Sequence, residues 1–495
     1  MMNSTPEWIT RSVSRLRPSA PAADKAGDKL AKSALDKSVT DVVAKVAVPR
    51  STNERLAATL RRGQEALSPR ALRRLLADLQ EVVAPQVSEI EGGRRAQAVA
   101  EWYAKAEPEE RRDMWLLMCE QFAPDATRFK SARQRYEAAA GTAEEGQAEI
   151  SLRRALVSPR TRLLQRFSAF PEGMRFLVDM RAEILPLLKA DKRLLPLDAE
   201  LEHLFSTWFD VAFLELRRLS WDSPASLLEK LIKYEAVHDI RSWADLKNRL
   251  DSDRRCYGFF HPRLPNEPLI FVEVALLDKI SSSITPLLDE AAAPVDITRA
   301  TTAIFYSISN TQTGLRGVSF GDSLIKHVVE TLTAEFPRLR TFATLSPIPG
   351  FRAWLSKHAG AMLERLDDKR RAELGRAVGF EPPQATHLLG AIDKALELDV
   401  KSPVRQMLLE CAAYYLGREM QEGKPVDPVA RFHLGNGARV ERLNWAGDPS
   451  SKGQKQSYGL MVNYLYDLKR IDKHRSLLAQ GKVPVSGDID SLCRD

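Results

Sequence analysis

Apolar residues recur at helical spacing from about residue 52 to residue 205. Leu72, Leu75, Leu76 and Leu79 form one such stripe, which has the 3.6-residue period of a helix that buries one face. Proline and acidic residues in a first turn suit the unpaired backbone N–H groups of a helix start. Such starts occur at Ser68-Pro69, Glu107-Pro108-Glu109-Glu110 and Ser158-Pro159. The pattern predicts an all-helical domain over residues 52–205, with a role in packing or oligomerisation.

After about residue 206, helices alternate with short apolar runs of strand length. The runs are Leu269 to Leu276, Ala303 to Ser309, Thr341 to Leu345 and Ala438 to Trp445. A helix predicted from Asp322 to Glu335 lies between two of these runs. Strand, loop, helix, strand is the order of a mixed α/β layer. The sequence therefore predicts an α+β chain, in which the helical domain is followed by a mixed domain over residues 206–495.

The first 51 residues are rich in Ser, Ala and Lys and have few large apolar groups, which is typical of a disordered tail. Residues 1–20 contain three basic residues, Arg11, Arg15 and Arg17, and a single acidic residue, Glu7. This composition resembles an organellar transit peptide. A tail on a cytoplasmic protein is the alternative, and a cytoplasmic location is our expectation.

Composition limits the classes of function. The 73 basic residues exceed the 66 acidic ones by seven over 495 residues, which is a weak field for a nucleic-acid binder. No apolar run reaches the roughly 18 residues of a membrane span. The four cysteines form no CxxC pair and the histidines no HxxxH pair, so we expect no disulfide framework and no metal. We therefore expect no nucleic-acid partner and no membrane partner.

A polar loop from Ser307 to Asp322 follows one predicted strand and precedes a predicted helix. Its three glycines let the backbone approach a ligand, and the N–H groups of the helix start form a seat for phosphate. Arg316 adds a charged donor. Glycine-bearing loops also occur as simple turns, so the spacing leaves both interpretations open.

The same loop contains Gly317-Val318-Ser319-Phe320-Gly321, which satisfies the GxSxG pattern of α/β-hydrolases. That pattern requires a strand to run almost directly into the serine. Here the predicted strand ends near Ser309, and no HGG motif is present for an oxyanion hole. The sequence therefore argues against a hydrolase.

Two further segments have side chains that suit catalysis. In Leu345-Ser346-Pro347-Ile348-Pro349-Gly350, the prolines restrict the residues before them and hold Ser346 on a stiff loop. In Phe432-His433-Leu434, a histidine precedes Asn436-Gly437, a dipeptide favoured in tight hairpins. Histidine can donate a proton near neutral pH. Taken singly, a turn serine and a satisfied core histidine explain these two residues better than catalysis does.

Together, these segments resemble the malonyl-CoA decarboxylase family, in an order and spacing that cover nearly the whole second half. The matching segments are Phe259-Phe260-His261-Pro262, Glu267-Pro268-Leu269, Gly314-Leu315-Arg316-Gly317-Val318, Glu335-Phe336-Pro337, Leu345 to Phe351, Phe432-His433-Leu434, Asn436-Gly437-Ala438, Asn444-Trp445, Gly459-Leu460-Met461, Asn463-Tyr464 and Tyr466. The helical first domain also resembles that of the family.

The resemblance implies a catalytic domain with the fold of the GNAT acetyltransferases and a homotetramer. It implies that Ser346 and His433 act on malonyl-CoA, supported by Ser307 and Tyr466, and that acetyl-CoA is the product. The thioester carbonyl can accept the electrons of the broken bond, so no cofactor is implied. The resemblance assigns the pyrophosphate of coenzyme A to a loop of seven residues. These residues are Arg316, Gly317, Val318, Ser319, Phe320, Gly321 and Asp322.

Two other functions share these features. An acyltransferase on the same fold would use the phosphate loop but has no particular need for Ser346 together with His433. A noncatalytic sensor would bind malonyl-CoA and leave it intact. Release of CO2 without an acceptor distinguishes the decarboxylase from both.

Overall fold

The computed structural model describes residues 66–318 and 324–493. The predicted N-terminal tail, the transit-like segment, Ser319, Phe320, Gly321 and Asp322 lie outside the described residues. No helix in the described ranges is long and apolar enough to cross a membrane.

The first part of the described chain is helical, as predicted. Leu72, Leu75, Leu76 and Leu79 are buried on one face of the first helix. Ser68 caps that helix, where its Oγ accepts a hydrogen bond from the Ala71 N–H at 3.3 Å. The three predicted helix starts are confirmed. The helices are α1 (Pro69–Val82), α2 (Glu89–Lys105), α3 (Pro108–Gln121), α4 (Ala126–Ala138), α5 (Glu145–Leu156), α6 (Pro159–Phe167), α7 (Gly173–Ile184) and α8 (Leu195–Trp208).

Strands begin soon after α8. Elements of this part are β1 (Glu215–Leu219), α9 (Ala225–Tyr234), α10 (Trp243–Arg249), β2 (Arg254–His261), β3 (Leu264–Leu277), α11 (Thr285–Leu288), β4 (Thr302–Asn310), α12 (Leu324–Glu335), β5 (Thr341–Thr344) and β6 (Ser346–Pro347). With two later strands, β9 (Arg439–Asn444) and β10 (Met461–Leu465), these strands form one mixed sheet of eight, in the order β1-β2-β3-β4-β5-β10-β6 with β9 beside β10. The one parallel pair among these strands is β4 with β5, and α12 connects the two.

The remaining elements cover the sheet and return two strands to it. They are α13 (Phe351–Glu364), α14 (Asp368–Val378), α15 (Ala385–Ile392), α16 (Pro403–Gly417), the two-residue strands β7 (Met420–Gln421) and β8 (Lys424–Pro425), α17 (Pro428–Gly435), β9 (Arg439–Asn444), α18 (Ser451–Ser457), β10 (Met461–Leu465), α19 (Ile471–Ala479) and α20 (Gly487–Leu492). The predicted α+β class is confirmed, and the four predicted runs correspond to β3, β4, β5 and β9.

One local expectation differs from the structure. Asn436 and Gly437 do not form a hairpin: they end α17, with Asn436 at its C-terminal cap. Gly437 has a φ of 87°, a conformation that glycine adopts without a steric penalty. A glycine after an asparagine serves either turn, so the dipeptide alone does not distinguish a hairpin from a helix end.

The helical domain packs directly on the loop after β4. Arg181 of α7 is buried, and its guanidinium donates to the carbonyl oxygens of Gly314 and Arg316 at 2.8 and 2.9 Å. It also pairs with Asp198 of α8 at 2.8 Å. At Gly314, a Cβ atom would lie 1.9 Å from the carbonyl oxygen of Val178. The loop and α7 therefore fit together only with glycine at position 314.

Candidate active site

A cavity of about 740 Å³ opens between β4, β6 and α17. Its lining is mainly apolar, as is usual for sites that take an extended small ligand. Ser307, Ser346 and His433, three of the residues singled out in the sequence, all line this cavity. Residues 307, 346 and 433 are thus brought together by the sheet and by one helix.

Ser346 lies in β6, where Val462 of β10 is its strand partner. Its hydroxyl donates to Thr344 Oγ1 at 2.8 Å. Thr344 Oγ1 in turn accepts the backbone N–H of Tyr464 at 3.1 Å. The serine is therefore held by hydrogen bonds from two neighbouring strands, in addition to the proline that follows it.

His433 lies in the last turn of α17, which begins with a strong cap. Asp427 is fully buried, and its Oδ1 accepts the N–H groups of Val429 and Ala430 at 2.9 and 2.8 Å. Pro428 occupies the first helical position, where a missing N–H costs nothing. The helix thus starts at a defined residue and brings His433 Nε2 to 3.3 Å from Ser346 Oγ.

The other ring nitrogen of His433 contacts Tyr466. His433 Nδ1 and the Tyr466 hydroxyl are 2.7 Å apart, and the imidazole stacks on Tyr464 with ring centroids 4.7 Å apart. Within the described residues, the Tyr466 hydroxyl has no other hydrogen-bond acceptor, so it donates to Nδ1. The imidazole hydrogen is then on Nε2, directed at Ser346 and the cavity.

Burial determines the charge of this histidine. It lowers the pKa of His433 from 6.5 to about 3, because the charged imidazolium loses its hydration. Burial also raises the pKa of the Tyr466 hydroxyl well above 10. With the cavity empty, both groups are neutral at neutral pH, and His433 presents an uncharged N–H donor.

Ser307 lines the cavity from β4. Its hydroxyl is 2.7 and 2.8 Å from the two carboxylate oxygens of Glu235. Glu235 is buried and follows α9 directly. The sequence analysis did not identify Glu235, because no motif surrounds it and its partner is 72 residues away.

The predicted phosphate loop borders the same cavity. Val318 and Leu324 line it, one on each side of residues 319–323. Gly317 has a φ of 82°, a conformation suited to glycine. The described part of the loop thus lies at the cavity, while the contacts of residues 319–322 lie outside the described residues.

Arg431 and Asn436 also line the cavity and were not predicted as site residues. Arg431 lies two residues before His433 in α17, and Asn436 caps that helix three residues after His433. The helical period therefore places Asn436, but not Arg431, on the face of His433. In the ranges that the structure describes, no group of three or more His, Cys, Asp or Glu residues could hold a metal ion.

Comparison with protein families agrees with this geometry. The family of the malonyl-CoA decarboxylase C-terminal domain matches residues 212–495, and that of the N-terminal domain matches residues 122–209. The chain belongs to the malonyl-CoA decarboxylase family. This confirms the predicted resemblance and identifies the family's activity, that of a carboxy-lyase.

Individual relatives carry the same name. The chain is 38% identical over 361 residues to the mitochondrial malonyl-CoA decarboxylase of Rattus norvegicus, which covers 70% of this chain and 73% of the relative. A match to the Anser anser anser protein of the same name spans 66% of that relative's length.

Solved structures extend the match over most of the chain. Malonyl-CoA decarboxylase from Rhodopseudomonas palustris superposes with a TM-score of 0.72 at 40% identity, over 85% of this chain and 99% of that one. The protein from Cupriavidus metallidurans gives 0.71 at 44% identity, over 86% and 100%. Both domains of the family fold are therefore present here.

Proposed function

We propose that the protein converts malonyl-CoA to acetyl-CoA and CO2, with Ser346 and His433 acting on the malonyl group. The observation that carries this proposal is the hydrogen-bonded chain of Tyr466, His433 and Ser346 in the wall of the cavity. Family membership supplies the reaction class, and the cavity brings together the residues that this reaction needs.

Orientation is the first requirement of the reaction. The bond to the carboxylate must lie perpendicular to the thioester plane, so that its electrons can enter the carbonyl as an enolate. Hydrogen bonds to the carboxylate from His433 Nε2–H and from the Ser346 hydroxyl, which turns from Thr344 Oγ1 to the substrate, would hold that angle. The two strands behind Ser346 and the cap of α17 limit movement of both donors, which favours one bound geometry.

A proton must then reach the carbon that lost CO2. The overall reaction consumes one proton, because the malonyl carboxylate leaves as neutral CO2. A bound carboxylate favours the protonated form of a nearby imidazole, so substrate opposes the effect of burial on the pKa of His433. His433 takes up a proton as malonyl-CoA binds and delivers it from Nε2 to the enolate carbon. Tyr466 keeps the ring in the required orientation.

Coenzyme A binding is assigned to the loop of Arg316, Gly317, Val318, Ser319, Phe320, Gly321 and Asp322. The position of Val318 at the cavity supports this assignment. Arg316 supplies charge for the pyrophosphate, and the start of α12 supplies N–H donors. Ser307 supports the pantetheine side of the cavity.

The test is CO2 release from malonyl-CoA without an acyl acceptor. We expect Ser346→Ala and His433→Asn to lower kcat at least about 100-fold, the usual contribution of positioned proton transfer. Ser457→Ala and His474→Asn are matched controls, because both side chains are buried but neither lines the cavity. Near-normal turnover by either active-site variant, with acetyl-CoA binding intact, would falsify the mechanism.

Assembly and location belong to the same proposal. A homotetramer formed through the helical domain is supported by apolar side chains that this domain exposes, among them Ile90, Leu156 and Val157. Light scattering of the purified chain measures the mass, and a monomer would contradict the proposal. A cytoplasmic location is tested by cell fractionation.

A further inference from the structure

Ser307 and Ser309 of β4 both bind one buried carboxylate. Besides the two contacts of Ser307, Glu235 Oε2 accepts the Ser309 hydroxyl at 3.0 Å. Glu235 Oε1 accepts the backbone N–H groups of Val237 and His238, each at 2.9 Å. Every group around this carboxylate is a donor, and Glu235 acts as an acceptor only.

The hydroxyl hydrogen of Ser307 is therefore already used in a hydrogen bond to Glu235. A serine hydroxyl has one hydrogen and two acceptor lone pairs, and Glu235 takes that hydrogen. Ser309 cannot replace it, because its own hydrogen goes to the same carboxylate while its oxygen accepts the Ala236 N–H at 3.1 Å. Ser307 lines the cavity, so it presents only acceptor capacity to a ligand.

The cavity lining thus has two parts of opposite character. On β6 and α17, His433 Nε2–H is a donor, and the Ser346 hydroxyl can turn from the neutral Thr344 Oγ1 to a charged carboxylate, which is the stronger acceptor. On β4, Ser307 offers lone pairs backed by the charge of Glu235. The acyl end of malonyl-CoA contains a carboxylate and a thioester carbonyl, which are acceptors only, so neither can bond to Ser307. The substrate donor next to that end is the amide N–H nearest the sulfur.

We propose that Glu235 is a positioning residue that fixes Ser307 as the acceptor for this amide N–H and directs the malonyl carboxylate towards Ser346 and His433. The inference rests on the proposed function, since it names how the same site distinguishes the two ends of its substrate. Glu235 acts through Ser307, and its charge repels a carboxylate placed on the wrong side.

The probes are acetyl-CoA and an acetyl-CoA analogue in which an ester oxygen replaces the amide N–H nearest the sulfur. Calorimetric titration measures both dissociation constants. The wild-type protein is expected to bind the analogue about three- to tenfold more weakly, the range of one net hydrogen bond. Ser307→Ala is expected to bind the two probes equally.

Glu235→Gln tests the positioning residue. The two backbone N–H groups hold the remaining amide oxygen at the Oε1 position, so the –NH2 group donates to Ser307 and occupies one of its two lone pairs, where it competes with the substrate amide. This variant is expected to weaken the preference for acetyl-CoA and to raise KM for malonyl-CoA more than it lowers kcat. Ser309→Ala is the matched control, because Ser309 binds the same carboxylate but does not line the cavity. Ser309→Ala is expected to keep the ratio of the two dissociation constants within about twofold of the wild-type ratio.

The double variant separates positioning from folding. If Glu235 acts through Ser307, Glu235→Gln adds no further loss of affinity in the Ser307→Ala background. An additional loss there, or equal binding of both probes by the wild-type protein, overturns the inference. Should Glu235→Gln fail to fold, the ester probe with Ser307→Ala and Ser309→Ala still decides it. These are binding measurements, so they remain readable if the wild-type protein releases no CO2, the result that overturns the proposed function instead.

Discussion

At the scale of single residues, burial sets the chemistry of the site. His433 lies in a wall where the charged form of its ring is not hydrated, and Tyr466 and Ser346 satisfy its two nitrogens without neutralising a charge. His433 is therefore a neutral donor until the carboxylate of the substrate binds beside it. The same reasoning gives a prediction for the stability of the protein.

We expect acid to destabilise the wild-type protein through His433. The folded state binds no proton there until the pH approaches 3, whereas the unfolded state binds one near 6.5. The part of the free energy of unfolding that depends on neutral His433 is fully present above pH 6.5. It is lost as the pH falls from 6.5 towards 3, by up to about 1.4 kcal/mol per pH unit. Urea unfolding at pH 7, 6 and 5 measures the slope. His433→Asn should show a smaller slope, and equal slopes would contradict this account.

At the scale of elements, the N-terminal cap of α17 fixes the position of His433, the proposed proton donor. Asp427 fixes the start of the helix, and His433 follows six residues later, in the last turn. Burial raises the pKa of the Asp427 carboxyl group. Asp427 therefore stabilises the start of the helix through the hydrogen bonds that it accepts. A shift of the first turn would therefore move the ring of His433.

Asp427→Ala is therefore expected to lower the free energy of unfolding by about 1–2 kcal/mol, the upper range for loss of a cap. It should also lower kcat, because His433 is no longer held beside Ser346. Asp427→Asn retains the accepting oxygen and should restore most of both. Chemical denaturation and the CO2 assay measure the two effects. If Asp427→Asn lowers stability and kcat as much as Asp427→Ala does, loss of the cap is not the cause.

The elements also show what the sequence could and could not predict. Helical periodicity predicted α1, and the prolines predicted the starts of α3 and α6. Strand β2 was not predicted, because it begins with Arg254-Arg255 and contains Gly258, so its sequence is not a continuous apolar run although the fold buries its whole length. Ser346 and His433 were identified through family motifs. Glu235 was not, since its role depends on a contact that only the folded sheet creates.

At the scale of the whole molecule, the helical domain supports the site from outside. Arg181 reaches from α7 into the loop that continues to Val318. Packing or oligomerisation was the role expected for this domain. The contact adds support of the predicted phosphate loop, so we expect the packing of this domain to affect substrate affinity.

We expect Arg181→Met to raise KM for malonyl-CoA and to destabilise the protein by about 3–5 kcal/mol, as is usual when one partner of a buried ion pair is removed. Asp198→Asn is the control, because Asp198 pairs with Arg181 but does not contact the loop. It should lower stability and leave KM nearly unchanged. Steady-state kinetics and thermal unfolding measure both variants. A KM for Arg181→Met equal to that of the control would show that the loop does not depend on this contact.

The missing Cβ at Gly314 has a consequence for engineering. Because the carbonyl of Val178 occupies the space that a side chain would need, the loop and α7 are complementary surfaces rather than interchangeable parts. A chimaera that joins the helical half of one relative to the sheet half of another would have to inherit both surfaces from one parent. Recombination points between residues 184 and 302 would split the pair, whereas a transplant that carries residues 173–318 as one block would preserve it.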